Sequence, residues 1–89
     1  MAFEKDITLT ANGKDWKFKV NATAFNKYLN SLGKQANMVQ SATNFLTSTI
    51  DEKQRKEFIE FVQLPGAAIN LVGPLVEEYQ EDFEVTVKK

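Results

Sequence analysis

The chain has 89 residues, a net charge of −1 and 43% hydrophobic content, with seven Phe, two Tyr and one Trp but no Cys and no His. A length just below the usual ~100–150 residues of a domain leaves room for one core, residues 1–89 as a single domain, and the aromatic rings supply the buried area a small core needs. Without Cys there is no disulfide, thiolate nucleophile or Cys-held metal, and without His the usual general base, the Ser-His pair and the commonest metal ligand are gone as well.

The first local signal is Asn12-Gly13, since a two-residue type I′ turn needs positive φ at both central positions and Asn-Gly tolerates that best. It predicts a hairpin over residues 2–20 in which Ala11 faces Lys14, Thr10 Asp15, Leu9 Trp16, Thr8 Lys17, Ile7 Phe18 and Asp6 Lys19. Ile7, Leu9, Trp16, Phe18 and Val20 then share a core face, while Asp6, Thr8, Lys17 and Lys19 share a wet one.

Helices follow within residues 22–80. After Val20 the period changes to about 3.6, with Phe25, Tyr28, Leu29 and Leu32 on one stripe, a cap at Asn21 or Thr23, and Gly33 placed to close the helix in the left-handed conformation. Residues 34–44 are polar and small apart from Met38 and Val39, and read as a loop, the most mobile stretch of the chain. Phe45, Leu46, Thr49 and Ile50 form a short helix. Asp51 followed by Gln54 resembles a capping box that starts the next helix, residues 52–63. Leu64-Pro65-Gly66 breaks it. Residues 67–79 are apolar nearly all round, and Gly73-Pro74 predicts a kink or restart because Pro lacks the helical amide.

Phe83, Val85 and Val87 alternate with polar residues, which predicts a strand over residues 82–88. The expected fold is α+β. The hairpin and the C-terminal strand form a small antiparallel sheet, on an edge left open, with three to four helices on one face.

Little catalytic chemistry survives this inventory. There is no phosphate-cradling glycine loop and no calcium loop. Ser31-Leu32-Gly33-Lys34 matches the S-x-x-K nucleophile motif, but at a helix end in a chain too short for that fold it reads as coincidence. Glu77, Glu78, Glu81, Asp82 and Glu84 form an acidic cluster, read either as a solvated helix end and strand face or as a surface for a basic partner. Catalytic, cofactor and metal sites are therefore expected to be absent.

Residues 1–64 carry nine basic and seven acidic groups and residues 65–89 two and five, so no bulk positive field draws nucleic acid. Lys14, Lys17 and Lys19 run beside Trp16 and Phe18, but alternation is expected to put lysines and rings on opposite faces. No apolar run approaches the ~18–20 residues of a membrane span, and no leader pattern opens the chain, so a cytosolic protein without membrane contact is expected. What remains is binding to another macromolecule. Residues 58, 59, 61, 62 and 64 cover more of their helix than one core face needs, which makes Phe58, Phe61 and Leu64 the candidate partner contacts, with ordinary core as the competing reading.

Asn44-Phe45-Leu46, Leu64-Pro65-Gly66-Ala67-Ala68, Glu77-Glu78-Tyr79 and Val85-Thr86-Val87-Lys88-Lys89 resemble, in order and spacing, a family of small tail assembly chaperones of long-tailed phages and prophages. The resemblance implies a non-enzymatic protein made in the host bacterial cytoplasm. It implies binding to the tape measure protein, help for tail tube subunits that polymerise around that complex, and absence from the mature virion. Chaperones of that family are often made in two lengths by ribosomal frameshifting, which a protein sequence does not reveal. Gly73-Pro74 departs from the uninterrupted helix of that pattern. The residues leave two other readings open, a minor tail or neck component retained in the virion and a small regulator that binds a host protein.

Overall fold

The computed structural model of the chain describes residues 4–34, 37–80 and 86–88. Strands β1 (Lys5–Ala11) and β2 (Lys14–Val20) form an antiparallel hairpin with Ile7 opposite Phe18 and Leu9 opposite Trp16, the register read from the turn. Asn12 and Gly13 take φ of 51° and 77°, the left-handed pair a type I′ turn requires. The core face buries Ile7, Trp16, Phe18 and Val20, and Asp6, Thr8, Lys17 and Lys19 are exposed.

Four helices follow: α1 (Ala22–Lys34), α2 (Met38–Thr49), α3 (Arg55–Val62) and α4 (Ala67–Tyr79). The Asn21 side chain caps α1 by accepting from the Ala24 amide at 2.8 Å. Gly33 stays helical rather than left-handed, so the expected glycine closure is not used.

The loop expected over residues 34–44 is largely helix. Asn37 accepts from the Gln40 amide at 2.9 Å and starts α2, which buries Ser41, Ala42, Phe45, Leu46 and Thr49 along one stripe. The physical reason is that three of these five residues, Ser41, Ala42 and Thr49, are small or hydroxylic. Ser41 fits against α1, where its hydroxyl meets that of Ser31 at 2.6 Å, and Thr49 returns its hydroxyl to the Phe45 carbonyl.

The capping box between Asp51 and Gln54 does not form either. Ile50 bridges to Phe18, and the Asp51 amide donates to the Lys17 carbonyl at 2.8 Å. A 3₁₀ turn at Glu52–Gln54 then brings the Gln54 carboxamide onto β2. Its oxygen accepts from the Lys17 amide at 2.8 Å and its nitrogen donates to the Asp15 carbonyl at 2.9 Å. An open strand edge offers Gln54 two backbone partners where a capping box offers one, and α3 begins a turn later than expected.

Gly66, at φ 82°, turns the chain from α3 into α4. Helix α4 runs through Gly73-Pro74 as one element, with Pro74 exposed on its outer side and Ala68, Leu71, Val72 and Leu75 buried. It packs on α2 and beneath β1.

Two groups of rings fill the core. Phe58 lies edge-on to Trp16 and Phe18, at 5.2 and 5.5 Å between centroids, and Phe61 stacks on Trp16 at 5.1 Å. Tyr28 stacks on Phe45 at 4.9 Å, and Phe25 bridges Phe45 and Tyr79. Each fully buried ring contributes about 1.5–3 kcal/mol.

The architecture is α+β with a two-stranded sheet. Of the strand expected at 82–88, residues 82–85 lie outside the described residues, and Thr86, Val87 and Lys88 are exposed and form no strand.

Candidate functional site

The three candidate contacts have different fates. Phe58 is 0% exposed at the centre of the ring cluster, so the expectation that it faces a partner is corrected: Trp16 and Phe18 cover it completely. Phe61 is half-buried on Trp16, and Leu64 is 51% exposed just past the end of α3. The fold brings Phe61 and Leu64 together in a cleft of about 500 Å³, where the hairpin tip at Leu9 and Ala11 meets Leu71 and Pro74 of α4. From Leu9 and Pro74 the cleft continues as a trough of about 870 Å³ between β1 and the outer side of α4, ending at Lys5, Asp6, Glu77, Glu78 and Gln80.

A second concavity, of about 700 Å³, opens between α1, α2 and α3. Helices α1 and α2 meet where Ser31 and Ser41 share a hydrogen bond at one end of the groove's lining. The stacked Tyr28 and Phe45 rings line the groove, Ile59 at 40% exposure forms one apolar wall, and Lys27 and Arg55 stand in the lining. None of its described lining residues is a carboxylate. The groove thus offers a limited apolar patch among hydroxyl and amide side chains, with two cations beside it.

The sequence reading missed this groove. Ile59 gave no clear signal: it lies within about 100° of both Phe58 and Val62, so its spacing fits an ordinary core stripe, and only its 40% exposure in the fold sets it apart. Tyr28 carried no signal of its own, because a half-buried ring on a core stripe looks like any core residue.

Other motifs resolve into structure. Ser31 of the S-x-x-K match bonds to Ser41 rather than to a base. Lys14 departs from the expected lysine row: it shares a face with Trp16, its ammonium lies 4.7 Å from the ring centroid, and it pairs with Glu57. Lys17 and Lys19 point to the opposite, wet face. Among the described residues no cluster of three or more potential metal ligands occurs, and no helix is long and apolar enough to cross a membrane.

The body is a small α+β unit with open concavities on two sides, each lined by both apolar and polar residues, a form compatible with binding another protein. The sequence pattern of phage tail assembly chaperones matches this chain over residues 7–89, nearly its whole length, and the chain belongs to that family. No curated protein and no solved structure matches it. Chaperones of this kind are generally non-enzymatic and act on protein partners.

Proposed function

We propose that this chaperone binds the tape measure protein in the cytoplasm of the infected bacterium, holds it soluble while tail tube subunits assemble around it, and leaves before the virion is complete. It does so without catalysis. The observation that carries this reading is the α1–α2–α3 groove, where Tyr28, Phe45 and Ile59 give a helical partner an apolar contact within an otherwise polar lining, and where Lys27 and Arg55 favour a partner with acidic flanks.

Co-expression with the tape measure protein tests it. The expected result is a soluble complex that elutes as one species, and a tape measure protein that is equally insoluble with and without this chain contradicts the reading. Mass spectrometry of purified virions is expected to find the chain missing. Abundant copies there would instead make it a retained tail or neck component.

A further inference from the structure

The two edges of the hairpin differ. On β2 the backbone groups of Asp15 and Lys17 point away from β1, as their bonds to Gln54 and Asp51 show, and residues 50–54 of the same chain seal that edge. In an antiparallel ladder, residues opposite such outward-facing positions face outward too. Thr8 and Thr10, opposite Lys17 and Asp15, and Asp6, opposite Lys19, therefore present their amides and carbonyls to the trough along β1. No described residue hydrogen-bonds to those outward groups. An edge that no described residue covers is a template for another strand.

The trough is polarised. At the hairpin tip it is lined by Leu9, Phe61, Leu64 and Leu71. At the other end stand Asp6, Glu77 and Glu78 with one ammonium, Lys5, which donates to the Glu78 carbonyl at 2.7 Å. A matching strand has alternating apolar residues followed by cations and runs antiparallel to β1. Residues 85–89 of this chain read Val85, Thr86, Val87, Lys88, Lys89. Val87 is 82% exposed in its own chain, away from any such contact.

The chain's own copy of this segment does not fit. Helix α4 runs antiparallel to β1 and ends beside Lys5, so a strand that followed it along the same edge would run parallel to β1 and carry its lysines to the apolar end. A segment from another molecule has no such constraint. We propose that the β1 edge takes residues 85–89 of a second copy as an antiparallel strand, with the valines toward Leu9, Phe61 and Leu64 and the lysines beside Asp6, Glu77 and Glu78. The contact is heterologous, so each copy donates one segment and accepts another. This self-association is independent of the tape measure reading and is measured on the chaperone alone.

Sedimentation velocity up to millimolar concentration tests it. The expected result is a mass that rises above the monomer with concentration and falls back as salt is added. Val87→Asp with Lys88→Glu and Lys89→Glu changes an exposed segment and is expected to weaken association by about tenfold or more. Thr8→Pro removes an outward amide at an edge position that tolerates Pro, and is expected to do the same. An equimolar mixture of the two variants retains one good edge and one good segment, and should give a 1:1 heterodimer and nothing larger. A wild-type chain that stays monomeric throughout overturns the proposal, as does a segment variant that associates like the wild type or a mixture without heterodimer.

Discussion

Phe58 and Leu64 lie six positions apart and looked alike as apolar helix residues, yet one is wholly buried and the other half exposed. Phe58→Ala empties the junction of Trp16, Phe18 and Phe61 and is expected to cost about 3–5 kcal/mol in urea unfolding. Leu64→Ala is expected to stay within about 0.5 kcal/mol of the parent. The indole N–H of Trp16 is buried with no acceptor among the described residues, a penalty of roughly 1–3 kcal/mol. Trp16→Phe removes that penalty together with part of the packing, so it should destabilise less than Phe58→Ala. What decided between Phe58 and Leu64 was the position of the hairpin over α3, which periodicity within one helix does not contain. The same holds for Gln54, whose carboxamide is committed to β2 rather than to its own helix. Gln54→Ala is expected to cost about 1–3 kcal/mol and to speed hydrogen exchange at the Lys17 amide.

At the scale of elements, the hairpin was legible to the residue because Asn12-Gly13 fixes the turn and a period of two admits one register with a dry face. Helices α1, α3 and α4 were legible because their apolar stripes are made of large residues. The first half of α2 was not: its buried positions are Ser41 and Ala42, and its start is Asn37, a residue equally at home in loops. Hydropathy is blind to a helix face whose virtue is being small. Asn37→Ala is expected to remove about 1 kcal/mol of stability through the lost cap, measurable in the same urea titration. Gly66 is similarly placed between α3 and α4. Its φ of 82° strains any side chain, and an added Cβ would lie 3.3 Å from the Asn70 amide nitrogen, so Gly66→Ala is expected to cost at least about 1 kcal/mol.

At the scale of the whole molecule, the sheet and its helices leave two separate concave surfaces. The α1–α2–α3 groove carries Lys27 and Arg55 against a ring-lined floor, and the β1 trough carries backbone groups that no described residue pairs, between an apolar and an acidic end. Neither was visible as a surface in the sequence, since each is assembled from residues of three or more elements that are ordinary when read one at a time. The family was legible because short stretches such as Leu64-Pro65-Gly66-Ala67-Ala68 resemble it in their order and spacing, and the match over residues 7–89 bears it out. The partner-binding claim rests on the groove, and amide hydrogen exchange of the chaperone, free and in complex with the tape measure protein, tests it most directly. The account predicts slowed exchange around Tyr28 in α1 and Thr47 in α2, abolished together with binding by Lys27→Glu with Arg55→Glu. A complex that forms normally in that double variant, or that leaves exchange at the groove unchanged, would contradict it.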